Sequence, residues 1–375
     1  MHEPANVGII GCGNISGHYL QSERVFGKYI RIAACADARM ERARARAAEA
    51  AEKGWCKPRA CRVAALLADP AIDIVINLTP PQAHFKVAMK ALRAGKHVHN
   101  EKPLALTMLE ARKILGEARA RNLRVGCAPD TVLGAGAQTC RKLLDDGAIG
   151  APVAGCAFMM CRGHESWHPD PEFYYKAGGG PMFDMGPYYL TSLVTLLGPV
   201  KRVSGAARIT FPERTITSEP KKGTRIAVEI PTHLAGVLEF ASGPVVTIVT
   251  SFDVWFHSMP NIELYGSAGS LSIPDPNGFG GAVRIRRAEG ETKDWTDVPL
   301  THGNAGGIRG FGPADMARAI SVGRPHRASG ELGMHVLEIM VGLHKAARSG
   351  RYYEIQNTVE RPAPLPAGLK DGELD

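Results

Sequence analysis

The first third of the chain alternates short apolar runs with helical patterns, and this alternation constrains the fold more than any other feature. Five apolar runs predict β-strands, at 7–10, 30–35, 72–78, 96–100 and 124–128. Five helical patterns lie between them, at 15–26, 40–53, 63–67, 82–94 and 107–120. Strands and helices that alternate in this way are joined by right-handed crossovers. The sequence therefore predicts an α/β fold with a parallel, doubly wound sheet.

The turn after the first predicted strand carries Gly11 and Gly13, whereas the third glycine of a G-x-G-x-x-G motif would fall at Ser16. Glycines at such a turn let backbone N–H groups approach a pyrophosphate. Asp37, at the end of the second predicted strand, can accept hydrogen bonds from a ribose and would repel a 2′-phosphate. We therefore predict NAD as the cofactor. Arg39 could meet a 2′-phosphate, so NADP is the alternative.

Charge and composition exclude several classes of partner. The net charge of +8 is spread along the chain, and its densest cluster, from Arg39 to Arg46, is interpreted as a solvated helix face rather than a nucleic-acid surface. No apolar run approaches the roughly 18 residues of a membrane helix, and the N-terminus does not resemble a signal peptide. The eight cysteines contain no C-x-x-C pair and are expected to be reduced. We predict a cytoplasmic protein that binds neither membrane nor nucleic acid.

The pattern changes after Pro152, where β-rich runs are separated by Gly, Pro and Asn turns that are typical of antiparallel sheet. The predicted strands are 153–160, 203–211, 225–240, 245–254, 261–265, 271–273 and 282–287. Three helices are predicted among and after them, at 187–197, 313–321 and 331–347. The Pro-rich tail at 361–375 is predicted to be loosely ordered.

Six motifs follow one another over nearly the whole chain: Gly-Ile-Ile-Gly-Cys-Gly-Asn-Ile at 8–15, Asp37, Leu-Thr-Pro-Pro-x-x-His at 78–84, Ala-Gly-Lys-His-Val-His-Asn-Glu-Lys-Pro-Leu-Ala at 94–105, Gly-Gly-Gly-x-x-x-Asp-x-Gly at 178–186 and Gly-Arg-Pro-His-Arg-Ala-Ser-Gly-Glu at 323–331. In these motifs the chain resembles the Gfo/Idh/MocA oxidoreductases. The resemblance implies a Rossmann domain at 1–128 and, at 129–360, an α/β domain with a large, mostly antiparallel open sheet. That second domain would bind substrate and form the contacts of a homodimer or homotetramer.

Lys102 follows a predicted strand and precedes Pro103, which places it at the carboxyl end of the sheet, where ligands bind. A nicotinamide cation and burial would push this lysine towards its neutral form. It could then share or take the proton of the reacting hydroxyl, whereas the alternative is a surface ion pair with Glu101. The resemblance places His84 against the nicotinamide, and a solvated histidine is the alternative. The predicted cofactor-binding residues are Gly11, Gly13, Asn14, Ile15, Asp37, Arg39, Leu78, Thr79, Pro80, His84, Glu101, Lys102 and Pro103.

On the substrate side, the glycines at 178–180 allow close backbone approach, and Asp184 is expected to accept hydrogen bonds from a substrate hydroxyl. The family motif has a histidine four residues after this aspartate and an acidic residue three further on, but this chain has Tyr188 and Thr191 there. Tyr188 could replace the histidine as acid–base catalyst if Lys102 lowers its pKa. Otherwise Tyr188 binds or packs. The predicted catalytic residues are Lys102, Asp184, Tyr188, His164 and His168.

The stretch from His164 to His168 spells H-E-x-x-H, which binds zinc only when both histidines lie one turn apart on a helix. Pro169 and Pro171 follow directly, and proline disfavours helix at the residue before it. We therefore predict no metal and interpret the stretch as a pocket-lining loop. In that loop Trp167 could stack on a sugar and either histidine could relay a proton; a structural loop with solvated histidines is the alternative. The predicted substrate-binding residues are Lys102, Trp167, His168, Asp184 and Tyr188.

Together these features predict an NAD(P)-dependent oxidoreductase that transfers a hydride between nicotinamide and a secondary alcohol or ketone carbon of a sugar, cyclitol or sugar derivative. One alternative is an enzyme that retains its cofactor and works through a 3-keto sugar, in glycoside cleavage or epimerisation. The other is an inactive cofactor-binding sensor, which the missing histidine favours.

Overall fold

The computed structural model describes residues 2–289 and 294–375, and its first sheet is parallel throughout. The six strands of this sheet are β1 (Ala5–Ile10), β2 (Ile30–Ala36), β3 (Arg59–Cys61), β4 (Ile74–Asn77), β5 (His97–Asn100) and β6 (Val125–Cys127). They are accompanied by α1 (Ser16–Leu20), α2 (Ser22–Phe26), α3 (Met40–Glu52), α4 (Val63–Ala68), α5 (Pro81–Arg93) and α6 (Met108–Ala120). The strand order β3-β2-β1-β4-β5-β6 is that of a doubly wound dinucleotide-binding sheet. The predicted fold class of this region is confirmed.

The strands of the parallel sheet have few exposed residues because helices cover both faces. Every residue of β1 and β4 is buried. The order reverses between β1 and β4, which pair in parallel with Val7 opposite Ile74. A crevice opens at the carboxyl ends of the strands beside such a reversal, and ligands bind there.

The remaining elements build a second, larger sheet and the helices packed on it. In chain order they are α7 (Ala135–Asp145), β7 (Pro152–Met160), α8 (Gly180–Asp184), α9 (Gly186–Leu197), β8 (Val200–Arg208), β9 (Glu213–Thr215), β10 (Arg225–Ala227), β11 (His233–Phe240), β12 (Val245–Ser251), β13 (Ile262–Gly266), β14 (Gly269–Ile273), β15 (Val283–Arg287), β16 (Thr296–Val298), α10 (Phe311–Ser321), α11 (Gly330–Ser349) and β17 (Tyr353–Glu354). The nine-stranded order is β16-β15-β14-β13-β7-β12-β11-β8-β17, and β9 and β10 form a separate pair.

Pairs in the nine-stranded sheet are antiparallel except for β7 with β12, so the predicted mostly antiparallel sheet is confirmed. β11 alternates half-buried and buried residues, as expected for a strand with one covered face. Helix α9 is buried along its whole length. It therefore holds the residues of its first turn rigidly, and that turn carries Tyr188.

Two predicted elements are divided in the structure. The predicted strand at 225–240 is two strands, β10 and β11, and the break between them contains Pro231, which has no N–H to donate to a ladder. The predicted helix at 15–26 is two short helices, α1 and α2. Ser22 lies at the start of α2, where its hydroxyl donates to the carbonyl of Tyr19.

The tail at 361–375 contacts the rest of the chain at a few points, and its predicted loose order stays a prediction. Leu365 and Leu374 are buried in the apolar cluster that also contains β1 residues. The backbone N–H of Leu374 donates to Tyr29 Oη at 2.9 Å, and Arg327 donates to the Asp375 carboxylate at 2.8 Å. Proline-rich composition did not reveal these contacts because their partners lie far away in the sequence. The predicted boundaries at residues 128 and 360 stay predictions.

Within residues 2–289 and 294–375, no helix is both long enough and apolar enough to cross a bilayer. All eight cysteines belong to these ranges, and each is a free thiol.

Candidate functional site

A cavity of about 290 Å³ lies where the carboxyl ends of β4 and β5 face helices α8 and α9. Residues that follow β4 and β5 form one wall, and residues from 173 to 188 form the other. The cavity brings together many of the predicted site residues, from both sides. Its lining residues are Ile15, Leu78, Thr79, Pro81, Gln82, His84, Glu101, Lys102, Pro103, Phe173, Tyr174, Gly178, Gly179, Phe183, Asp184 and Tyr188.

The glycine turn after β1 approaches the loop after β4. Gly11 has φ +105°, and a Cβ there would lie 2.6 Å from the carbonyl of Leu78. A Cβ on Gly13 would meet no described atom within 4 Å, so the space beside this turn is open. Open space next to a glycine turn, at the end of a first parallel strand, fits the close approach of a pyrophosphate.

Asp37, at the end of β2, faces the same turn. One carboxylate oxygen accepts the N–H of Cys12 at 2.8 Å, and the other accepts the N–H of Arg39 at 2.9 Å. Each oxygen keeps a lone pair for a further donor, so the carboxylate could still accept a ribose hydroxyl. Arg39 and Asn14 are exposed. These residues fit the adenosine half of a dinucleotide.

Lys102, Asp184 and His164 form a chain of contacts at one end of the cavity. Lys102 Nζ donates to Asp184 Oδ1 at 2.9 Å and also to the backbone carbonyl of Asp184. The other carboxylate oxygen lies 3.0 Å from His164 Nε2. The structure thus joins three residues of the predicted catalytic set, which the sequence separates by up to 82 positions. Both carboxylate oxygens of Asp184 therefore already have a protein partner, and a substrate hydroxyl would be an additional one.

The contacts between Lys102 and Asp184 favour the charged form of both groups. Burial opposes the charge on Lys102, but the carboxylate of Asp184, with smaller contributions from Tyr188 and Glu101, raises the pKa of Lys102 above its usual range. Burial likewise opposes the carboxylate, but Lys102 and His164 lower the pKa of Asp184 to about 2. The protein's own groups therefore favour the charged form of Lys102, not the neutral form that we expected beside a nicotinamide cation. Lys102 is an ammonium that can donate to a reacting oxygen.

Tyr188, in the first turn of α9, packs against the same lysine. Lys102 Nζ lies 5.3 Å from the centroid of its ring. Burial raises the pKa of Tyr188, whereas Lys102 and Arg309 lower it, and the net pKa stays above the ordinary value. Lys102 does lower the pKa of Tyr188, as the acid–base interpretation required, but the loss of hydration outweighs this effect.

The residues after β4 and β5 are held together by His84. His84 is fully buried, with Nδ1 2.7 Å from the carbonyl of Pro103 and Nε2 2.8 Å from the carbonyl of Thr79. The solvated alternative for His84 is thus wrong. Pro80 lies in the chain between Thr79 and the start of α5, and it does not line the cavity.

Glu101 is buried and does not form the surface ion pair that was the alternative to a catalytic Lys102. One carboxylate oxygen accepts the hydroxyl of Tyr19 at 2.9 Å, and the other accepts the backbone N–H of Lys102 at 2.8 Å. Glu101 therefore orients the backbone from which the Lys102 side chain extends.

The H-E-x-x-H stretch is a turn, and its two histidines have different surroundings. His164 is buried against Asp184, whereas His168 Nδ1 accepts the backbone N–H of Asp170 at 3.0 Å. No bond from His168 to Asp184 or Lys102 occurs in the part of the chain that the structure describes. Trp167 is 61% exposed and packs edge-on against His164. The cavity lining does not include Trp167, His168 or His164, and His164 is connected to the cavity through Asp184.

Residues 2–289 and 294–375 contain no group of three or more His, Cys, Asp or Glu side chains that is arranged to hold a metal ion.

Two features of the site had no signal in the sequence. Arg309, in the loop before α10, donates to Tyr188 Oη at 3.2 Å. Glu165, beside His164, accepts from the buried Arg214 at 2.8 Å, and Arg214 also binds Asp253. These partners are 39 to 121 residues apart, so no local pattern could reveal them.

Comparison with known proteins agrees with this geometry. Residues 5–128 match the oxidoreductase family with an NAD-binding Rossmann fold, and residues 137–272 match the GFO/IDH/MocA C-terminal domain. The chain is 28% identical to 1,5-anhydro-D-fructose reductase of Ensifer adhaerens, over 83% of this chain and 87% of that protein. It is 26% identical to D-glucoside 3-dehydrogenase of Escherichia coli strain K12, over 72% of this chain and 78% of that protein.

A solved NAD-binding oxidoreductase from Klebsiella pneumoniae has the same fold. It superimposes with a TM-score of 0.77 at 21% identity, covering 95% of this chain and 100% of that one. The two family matches cover, in the expected order, the two parts of the chain that line the cavity. The protein is thus a member of the Gfo/Idh/MocA family of NAD-binding oxidoreductases.

Proposed function

We propose that the protein transfers a hydride between NAD and a secondary alcohol or ketone carbon of a sugar-like substrate bound in the cavity. The observation that carries this proposal is the Lys102–Asp184–His164 chain of contacts, which ends beside Tyr188 in the wall of a cavity next to the glycine turn. Asp37 favours NAD over NADP because its carboxylate would repel a 2′-phosphate.

The nicotinamide ring, when bound, accepts or supplies the hydride. The protein's own groups then handle the oxygen of the reacting carbon. The Lys102 ammonium donates a hydrogen bond to that oxygen and stabilises the negative charge that develops there. Asp184 holds Lys102 in place and orients His164. Because the contacts with Asp184 favour the protonated form of Lys102, we assign the proton of a substrate hydroxyl to another group, Tyr188 or His164.

The substrate class follows from the relatives and from the form of the cavity. The curated relatives are named for an anhydro sugar and a glucoside. The cavity has aromatic walls at Phe173, Tyr174 and Phe183, on which the C–H face of a sugar ring can pack. His168 packs against Phe173 and Tyr174 of the wall, and Trp167 packs against His168, so both would contact a part of the substrate that extends outward. We therefore assign a cyclic sugar or glycoside rather than an open-chain alcohol.

The open face of the nine-stranded sheet supports a proposal of self-association. Val245 and Tyr352 are exposed on or beside this sheet, at 44% and 53%. A homodimer or homotetramer through the sheet would cover them. Eight free cysteines agree with a reducing, cytoplasmic location.

A panel of monosaccharides, cyclitols and glycosides, each offered with NAD and with NADP, tests the proposal by absorbance at the wavelength of the reduced nicotinamide. We expect net reduction with at least one cyclic sugar, and faster with NAD. Product formation without net NADH would instead indicate the cofactor-retaining cycle through a 3-keto sugar. Binding of NAD without turnover of any substrate in either direction would overturn the proposed activity and favour the sensor.

A further inference from the structure

Arg309 places a second cation against the phenol of Tyr188. Its Nη2 donates to Tyr188 Oη at 3.2 Å and to Asn277 Oδ1 at 2.8 Å. The guanidinium carbon also lies 5.2 Å from the centroid of the Tyr188 ring. The Arg309 side chain is only 11% exposed. This is therefore a contact between an almost fully buried cation and a buried phenol, not a surface pair.

The backbone that carries Arg309 is fixed by Asp130. The fully buried Asp130 carboxylate accepts the N–H groups of Gly310 and Gly312 through Oδ2, at 3.0 and 2.9 Å. Gly310 has φ +103°, and a Cβ there would overlap the Cβ of Ser22. These constraints hold the start of α10 in one position, so Arg309 reaches Tyr188 from a rigid base.

The carboxylates near Tyr188 have closer partners than Tyr188 itself. Asp184 binds Lys102 and His164, and Glu101 binds Tyr19 and the backbone of Lys102. The charged and titratable groups that face Tyr188 are Lys102, Arg309, Glu101 and Asp184, with Tyr174 beside them. A negative charge on Tyr188 Oη would thus meet one directly bonded cation, Arg309, and a second one, Lys102, whose Nζ lies 5.3 Å from the ring centroid.

We propose that Arg309 is a positioning residue that stabilises the ionised form of Tyr188 and so makes this phenol the group that exchanges a proton with the reacting oxygen. The inference rests on the proposed oxidoreductase activity. It assigns to Tyr188, with Arg309, the acid–base role that was open between Tyr188 and His164.

In the reduction of a ketone, Tyr188 supplies the proton. The Tyr188 O–H bond breaks and its proton joins the carbonyl oxygen, while the carbonyl carbon gains the hydride that the bound cofactor supplies. The phenolate left behind faces Arg309 and Lys102 until water returns a proton. In oxidation, the phenolate takes the hydroxyl proton, and the same carbon loses its hydride to the oxidised nicotinamide of the proposed reaction.

The net pKa of Tyr188 lies above its ordinary value, and the two cations act against that rise. Burial raises the pKa of Tyr188, and Lys102 and Arg309 are the two groups that lower it. Without Arg309, one of the two opposing cations is lost while burial remains. The phenol should then ionise only at higher pH.

The first experiment measures Tyr188 directly in the protein without cofactor. Tyrosine labelled with ¹³C at Cζ is followed by NMR against pH, and the Y188F variant identifies the Tyr188 resonance. We expect R309Q to move the ionisation of Tyr188 to higher pH, equivalent to at least a tenfold smaller ionisation constant, since a neutral side chain replaces a bonded cation. R309K keeps the charge without the planar guanidinium, so its shift should be smaller than that of R309Q. An exposed arginine provides the matched control, R225Q, which should change nothing.

The second experiment uses the active holoenzyme with NAD and the best substrate of the panel. In R309Q the pH dependence of kcat/KM should shift to higher pH, and in R309A added guanidinium should restore part of kcat. A role confined to bracing the loop would leave the ionisation of Tyr188 and the pH profile unchanged in R309Q, and that result would overturn the inference. An inactive wild type would defeat the proposed function, and the NMR titration would still decide whether Arg309 acts on Tyr188.

If R309Q does not fold, R309K decides the question. Its shorter, non-planar head group cannot donate to Tyr188 Oη and Asn277 Oδ1 as the guanidinium does, so Tyr188 should still ionise at a higher pH than in the wild type. An unchanged titration in a folded R309K, together with an unchanged pH profile, would overturn the inference.

Discussion

Lys102 Nζ and Asp184 Oδ1 lie 2.9 Å apart in the wall of the cavity, so a residue that follows a parallel strand is joined to the last residue of helix α8. The two groups hold each other in the charged state, which burial alone would oppose. The pair thereby fixes an ammonium in the wall of the cavity.

Replacing Lys102 by alanine should lower turnover by about 10²–10⁴-fold, because a positioned donor to the reacting oxygen is lost. NAD affinity should stay within several-fold, since the glycine turn and Asp37 are unchanged. Steady-state kinetics and calorimetric titration with NAD measure the two effects. The exposed Lys86, on α5, provides the control K86A, which should behave like the wild type. Turnover of K102A near that of K86A would remove Lys102 from the mechanism.

Asp184 should stabilise the folded protein in a pH-dependent way. Its pKa is lowered from 3.8 to about 2, so the folded state holds the charged form more strongly than the unfolded state does. The stabilisation, roughly 2 kcal/mol, is fully present above about pH 4 and is lost as the pH falls towards 2.

The test compares free energies of unfolding of the wild type and D184N between pH 6 and pH 3. The difference between them should shrink as the pH decreases. The exposed Asp297 supplies the control D297N, for which we expect little dependence on pH. A constant difference for D184N over this range would contradict the charged, paired state of Asp184.

Two glycines of the turn after β1 should respond differently to alanine. In G11A the new Cβ would meet the backbone of Leu78 at 2.6 Å, and the residue would have to adopt φ +105°. We therefore expect the free energy of unfolding to fall by roughly 1–3 kcal/mol. NAD binding should weaken as well. In G13A the Cβ meets no described atom, so stability should change by less than about 0.5 kcal/mol.

The same G13A variant should nevertheless bind NAD at least about tenfold more weakly, because its methyl group fills the space that we assign to the pyrophosphate. Thermal unfolding and calorimetric titration separate the two effects. Normal NAD affinity in G13A would show that the dinucleotide does not lie against this turn.

Arg214 should matter for stability far more than an exposed arginine. It lies between Glu165 and Asp253, and R214M would leave two buried carboxylates without their cation. We expect a loss of about 3–5 kcal/mol, measured by chemical denaturation. The control R225M removes an exposed pair with Glu213 and should cost less than about 1 kcal/mol. Equal effects would contradict the role of this network in holding the turn that carries His164.

The fold of the first part of the chain was predictable because its signal is local. Apolar runs of strand length and the helices between them depend on neighbouring residues, and the structure confirms the parallel sheet they predict. Element ends were less predictable. Pro231, in the middle of a predicted strand, divides it in two because a residue without an N–H cannot continue the ladder.

The candidate site was predictable in its residue types and only partly in its contacts. Lys102, Asp184, Tyr188 and His164 do come together, as the motifs and the resemblance implied. Trp167 and His168, which were expected in the pocket, lie outside its wall. Their position depends on how the turn from 164 to 168 is anchored, and Glu165 is anchored by an arginine 49 residues further on.

The α/β class, the glycine turn after β1, the acidic residue at the end of β2 and the lysine at the end of β5 could all be read from the amino-acid sequence, since each depends on a short stretch of chain. The charge states of the site required the folded structure. Asp184 favours the charged form of Lys102, and Tyr188 contacts two cations, because a side chain's ionisation follows from its burial and from neighbours that the chain brings from more than 80 positions away. The contacts of the tail have the same cause, since Leu374 meets Tyr29 across 345 positions.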